Sequence, residues 1–387
     1  VYVHVPFCLS RCHYCDFVTY TGMQGLHRPY AAALLQEAAL AAAALGPQPP
    51  TVTSVFVGGG TPTLLPPGDL GRVLRRLREL LPHAPEVEVT VEANPETVDR
   101  AVADGLVAAG ATRVSMGAQS FDERVLTALG RTHDAARPAA AVATLRAAGV
   151  AAVNLDLIYG GPGEDAASWA ATLAAAVRLA PEHLSAYALT VEPATRFGRL
   201  VAAGRMRPPD EDLLADRYET ACTTLAGAGY GHYEVSNWAR GPVMHSAPHA
   251  APDGSRLPAH ASRHNLTYWR RGRYLGLGAG AHEFLGETRS WNVAGVPAYL
   301  AAVGEGRRPT AGRERLAAAA ARFEALALRL RTADGLDPDE ARALGVDPHG
   351  AAAAELRSAG LLAPDPGIRL TERGMLLHGE VVARLAP

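Results

Sequence analysis

Lysine is absent from the 387 residues, so every basic side chain in the linear count is arginine or histidine. That absence excludes a P-loop lysine, a Schiff-base lysine and a lysine general base. Charge of one sign is lacking as well. The formal net charge is −2 and no run of like charge stands out, so neither a nucleic-acid footprint nor a basic membrane-surface patch is expected. No apolar stretch has the length of a membrane span, and the opening VYVHVPF is too short and too polar for a signal-peptide core. A cytoplasmic protein that is not an integral membrane protein is expected. Because Val1 already reads as part of a strand, residues preceding it are expected too. Cysteine is scarce: there are four, three of them crowded between positions 8 and 15. Such crowding is poor for a disulfide framework and good for a metal site, which implies a reducing compartment.

Nearly half of the chain is apolar, enough for one large α/β domain and a smaller one. Short β-branched runs alternate with Ala/Leu-rich stretches through the first half, the rhythm of repeated βα units on a parallel sheet. Strands are expected at 1–5, 54–57, 87–93, 113–118, 152–158 and 183–190. Helices are expected near 29–45, 68–81, 99–109, 122–148, 165–179 and 210–228. Six such units predict a partial (β/α)6 TIM-type barrel over 1–232, open on one side, with its chemistry on the loops at the carboxyl ends of the strands. A second region, 233–312, contains an aperiodic Gly/Pro/Ala/His insertion at 241–262 that reads as a mobile surface segment. The last region, 313–387, predicts a small helical domain with a hairpin wing turning at 365–367.

Cys8, Cys12 and Cys15 form C-x3-C-x2-C directly after the first strand. Three thiolates can hold three irons of a cubane and leave the fourth open to an external ligand. The alternative is a zinc site completed by His4 or His13. Cys222, alone within DRYETACTTLAGAG, reads as a small core residue.

The cysteine spacing resembles that of the radical S-adenosylmethionine (SAM) superfamily, whose open iron is chelated by SAM and whose reduced cluster cleaves SAM to methionine and a 5′-deoxyadenosyl radical. Gly58-Gly59-Gly60-Thr61-Pro62 follows the second strand, where glycines let the backbone approach a ligand; it resembles the superfamily motif that bonds the SAM ammonium group. Glu92, Gln119 and Asp156 fall on otherwise apolar strands, where polar side chains need partners, and a polar ligand would satisfy all three. Arg131, in LGRTH, could pair with a carboxylate.

In order along the chain, PFCLSRCHYCDF, GGGTPTLL, VEANPE, RVSMGAQSF, LGRTH, NLDLIYGGPGE, YEVSNW, RHNLTYW and GLGAGAH resemble the HemW family of radical SAM haem chaperones. That family is related to the oxygen-independent coproporphyrinogen III oxidases. The resemblance implies a [4Fe–4S] cluster on Cys8, Cys12 and Cys15, and contacts to SAM or the cluster from Tyr2, Cys8, Tyr14, Gly59, Gly60, Thr61, Glu92, Gln119, Arg131 and Asp156. The oxidases carry a further cysteine two residues after the third; here that position is Phe17. The HNxxYW motif tied to haem binding stands at His264 to Trp269, where His264 could ligate haem iron and Tyr268 and Trp269 could pack on the macrocycle. A motif that merely packs the barrel is the competing reading.

Two departures stand out: Ser262 replaces a cysteine common in relatives, and the insertion carries His245, His249 and His260, read as solvated loop residues. The resemblance implies a haem-binding protein that passes haem to acceptors such as respiratory membrane proteins. An oxidase acting on coproporphyrinogen III is the runner-up, and a radical SAM enzyme of RNA or natural-product modification the third. Productive SAM cleavage and a homodimer are left open.

Overall fold

The computed structural model describes residues 1–241 and 257–386. The elements run β1 (Tyr2–Val5), α1 (His27–Ala44), β2 (Val52–Gly59), α2 (Pro67–Leu80), β3 (His83–Ala93), α3 (Arg100–Ala108), β4 (Arg113–Gln119), α4 (Glu123–Leu129), α5 (Arg137–Ala148), β5 (Ala152–Tyr159), α6 (Ala166–Arg178) and β6 (His183–Ala188). Then come α7 (Arg196–Ala202), α8 (Glu211–Gly227), β7 (Tyr230–Glu234), β8 (Asn237–Arg240), α9 (Arg263–Trp269), β9 (Gly276–Leu277), β10 (His282–Leu285), β11 (Thr288–Asn292), α10 (Val296–Gly304) and β12 (Thr310–Arg315). The chain finishes in α11 (Ala318–Arg329), α12 (Pro338–Ala343), α13 (Ala351–Ser358), α14 (Glu372–Leu376) and α15 (His378–Leu385).

β1 to β6 lie side by side in chain order and pair in parallel. Both faces of these strands are covered, so Val3, Val5, Val57, Val91, Val114, Leu155 and Leu184 are all buried; near-continuous apolar runs are what a two-sided parallel sheet requires. The sheet goes further than six strands. β9 adds in parallel to β1, and β8 and β7 continue antiparallel beyond β6, giving the order β7-β8-β6-β5-β4-β3-β2-β1-β9. A separate antiparallel sheet, β10-β11-β12, has no counterpart in the sequence reading. Glu37 ties it down: buried on α1, it accepts from Gly278 N–H at 2.7 Å, Asn292 Nδ2 at 2.7 Å and Tyr299 Oη at 2.8 Å.

One expected helix, 122–148, is two. Gly130 takes the left-handed conformation that ends α4 (φ 77°), and Pro138 sits in the first turn of α5, where its missing N–H costs nothing. The break has a consequence for the site, because it turns Arg131 inward. At the far end, the expected wing is reduced to the bridges Leu336↔Ile368 and Leu362↔Leu370 around a turn in which Asp365 accepts from Gly367 N–H. Of the 241–262 insertion, His245 and His249 lie outside the described residues. His260 is exposed, and its carbonyl accepts from Arg113.

Candidate functional site

The carboxyl ends of β1 to β6 surround a cavity of about 540 Å³ lined by Cys8, Cys12, Tyr14, Cys15, Gly59, Gly60, Thr61, Glu92, Gln119, Arg131 and Asp156. Strand register explains why residues so far apart in sequence meet. Glu92 stands beside Ser115, and Gly117 beside Asp156, which in turn neighbours Ser185. Of the expected cluster and SAM residues, only Tyr2 is not on the wall.

The cysteine loop is not arranged as the zinc site considered above. His4 is spent on Tyr2 Oη (2.8 Å) and the Val18 carbonyl (2.8 Å), and His13 on the Ala128 carbonyl (2.9 Å) and Arg196 (2.8 Å). Among the described residues, no group of three donors within 4.8 Å of one another includes these sulfurs, whereas one tetrahedral zinc with bonds of about 2.3 Å needs its donors closer than that. Three thiols spread around a cavity suit a cubane. Burial pushes the Cys8 thiol up to about 11 against the Thr61 hydrogen bond, and also raises Cys15; bound metal would supply the missing stabilisation of thiolate.

Polar groups crowd in around the sulfurs. Thr61 Oγ1 donates to Cys8 Sγ (3.7 Å) and accepts from Asn94 Nδ2 (2.9 Å). Arg131 donates to Cys12 Sγ (3.3 Å), to Asn94 Oδ1 (2.6 Å) and to the Gly117 carbonyl (3.0 Å). Asn94 therefore joins the two cysteine contacts. It went unassigned in the sequence, although it sits in VEANPE one residue beyond the strand end, where a cavity-facing polar side chain was to be expected.

The glycine turn is dictated by close approach. Gly59 has φ 106°, and a Cβ there would fall on the His4 imidazole; on Gly60 it would lie 2.6 Å from the Phe7 carbonyl. The freed Gly59 N–H donates to Glu92 Oε2 at 2.8 Å. Burial and the neighbouring Asp156 charge raise the Glu92 carboxyl to about 7.

Burial raises Asp156 too, opposed by hydrogen bonds from Ser185, Asn154 and Ser115. Asn154 links onward to His183 (2.6 Å) and thence Tyr233 (2.8 Å), a chain the sequence did not reveal because its members come from three strands. Gln119 is one of three non-glycine residues with positive φ (63°) among the described residues. It sits at a register shift of β4 on β5, the kind of irregularity that re-aims a side chain at a site. Tyr14 packs against the cluster of Val125, Leu129, Ile158, Leu189 and Phe197, and burial holds its phenol protonated.

His264 lies inside the fold, away from the cavity. Rather than facing open space, it is 1% exposed, with Nδ1 3.0 Å from Ser54 Oγ and Nε2 2.9 Å from Tyr268 Oη. Its ring stacks with Phe56 and Tyr2, and burial drives its pKa well down. Both nitrogens are engaged by side-chain hydroxyls of the fold. The rest of the motif also has packing work: Trp269 lies under the Arg331 guanidinium at 4.4 Å, and Ser262 caps α9 by accepting from Asn265 N–H. Tyr2 belongs to this stack, which is why it misses the cavity.

A cysteine triplet after the first parallel strand, a glycine turn after the second and inward carboxylates on the third and fifth define a radical SAM protein. The Radical SAM superfamily model matches residues 2–176, and membership of that superfamily carries with it a [4Fe–4S] cluster and SAM. The chain belongs to the HemW family within it. It is 42% identical over 388 residues to the heme chaperone HemW of Mycobacterium tuberculosis, covering 100% of this chain and 94% of that protein. To HemW of Escherichia coli it is 37% identical over 290 residues, covering 73% and 69%. Coproporphyrinogen III oxidase (HemN) from Escherichia coli superposes with a TM-score of 0.79 at 24% identity, covering 100% of this chain and 89% of that one, which establishes the common fold. No helix among the described residues is long and apolar enough to cross a membrane.

Proposed function

We propose that this protein is a haem chaperone of the radical SAM class. It holds a [4Fe–4S] cluster on Cys8, Cys12 and Cys15, takes SAM in the adjoining cavity, and binds haem for delivery to acceptors such as respiratory membrane proteins. A cluster with one open iron supplies a chelation point for SAM and a source of single electrons. In this reading Glu92, with the Gly59 turn, meets the SAM ammonium group. Arg131 and Thr61 steady the cysteine loop, and Asp156 and Gln119 address the rest of the cofactor.

The observation that carries the haem reading is the rim. Six large apolar side chains are exposed among the described residues, and three of them, Leu9 (53%), Phe17 (69%) and Tyr187 (39%), line this one cavity. Exposed apolar side chains gathered at one mouth signal a ligand or partner, and a flat macrocycle suits them. Phe17 is also the position at which the oxidases carry their further cysteine. HNLTYW enters as the wall behind β2 rather than as an accessible iron ligand.

The test is an anaerobic haem titration of the cluster-loaded protein, with a parallel assay on coproporphyrinogen III, SAM and reductant. One haem per chain, weakened about tenfold or more in the Leu9→Ser/Phe17→Ser double variant by loss of apolar contact, with no decarboxylation, is expected. Robust porphyrinogen turnover, or haem affinity unchanged in that variant, would overturn the reading.

A further inference from the structure

A second set of metal-ligating side chains lies outside the cavity, where the C-terminal region meets the barrel. Cys222 on α8, His232 on β7 and Glu372 at the start of α14 place a thiol sulfur, an imidazole nitrogen and a carboxylate oxygen all within 4.8 Å of one another. Cys222 and His232 are buried, at 4% and 7% exposure, and Glu372 closes the group from the solvent side. The imidazole is held in place: its ring lies flat on Trp238, with centroids 4.3 Å apart and planes 8° off parallel.

We propose that Cys222, His232 and Glu372 form a zinc-type cation site that clips α14 onto α8 and β7. The donor set decides the class of ion. Thiolate and imidazole exclude magnesium and calcium, which take oxygen ligands, whereas sulfur, nitrogen and carboxylate together match zinc. Three protein donors leave the fourth tetrahedral position to water. With bonds of about 2.0–2.3 Å, the donors would close by about 1 Å as the ion enters. A divalent cation there would link segments 140 positions apart in the chain. Helix α14 is otherwise short, at five residues, so a ligand near its first turn has leverage on how the C-terminal region sits.

The experiment uses cluster-loaded protein, in which the other three cysteines are occupied. It is equilibrated with zinc chloride, desalted against a weak chelator, and its zinc and iron are counted per chain by mass spectrometry. About one zinc per chain is expected, with affinity lowered about tenfold or more in both Glu372→Gln and Cys222→Ser at unchanged iron content. Glu372 is exposed, so its variant keeps the fold even if the Cys222 variant does not. Failure to retain zinc, or retention unaffected by either substitution, overturns the site. Loss in only one of two folded variants overturns the three-donor assignment.

Discussion

Arg131 reaches from the break between α4 and α5 to the sulfur of Cys12, 3.3 Å away, while the same guanidinium holds Asn94 and the Gly117 carbonyl. A residue expected to meet a ligand carboxylate therefore also braces the loop that carries the cysteines. Arg131→Ala would leave Asn94 Oδ1 and the Gly117 carbonyl without donors, at about 1–3 kcal/mol each. Iron and sulfide per chain are expected to fall in that variant, and Arg131→Lys to restore them only in part, because an ammonium lacks the planar fork. Full iron content in Arg131→Ala would remove the bracing role.

Glu92 makes stability depend on pH. Its folded value of about 7 lies above the ordinary 4.5, so its contribution is complete below about 4.5 and is lost as pH rises through about 7. Solvent reaching the cavity keeps the loss at or below roughly 3 kcal/mol. In ligand-free protein, Glu92→Gln should therefore match the parent at pH 5 and be the more stable at pH 8, by urea unfolding. SAM affinity should move the other way, rising in the parent as Glu92 ionises and staying flat in the variant. A parent whose SAM affinity is the same at pH 6 and pH 8 would count against the contact.

His264 carries the opposite sign. Burial depresses its pKa, so the neutral ring stabilises the fold above about 6.5 and that contribution is lost as pH falls below it. His264→Ala strands Ser54 Oγ and Tyr268 Oη and opens a gap beside Phe56, for which about 2–4 kcal/mol of destabilisation is expected. Haem stoichiometry, read from the Soret band, should persist while the protein remains folded. Loss of haem at unchanged unfolding midpoint would return His264 to the ligand role.

Glu37 isolates the join between α1 and the second sheet. Removing it in Glu37→Ala leaves Gly278 N–H and Tyr299 Oη without their acceptor and takes one of two from Asn292 Nδ2, which keeps the Gly278 carbonyl; about 2 kcal/mol or more is expected. Glu37→Gln keeps one acceptor but turns an NH2 toward those donors, so it should fall between. Denaturant midpoints of the three proteins check the order, and equal midpoints would show the network to be dispensable.

The sequence alone determined the barrel units, because apolar period and turn residues are local properties: β4 and β5 stand where β-branched runs lie between Ala-rich helices. It also determined that three cysteines sit together, since three within eight residues share one loop whatever surrounds them. Tertiary structure decided what spacing cannot express. Asn94 matters because strand register sets it between Thr61 and Arg131, and Gly130 matters because its left-handed turn swings Arg131 inward. The short strands β7 to β12 take their state from neighbours rather than from a period of their own. His264 shows the difference most directly: its motif is legible in six residues of helix, but what its nitrogens meet depends on Ser54, 210 positions away, brought there by burial of the stack on β2.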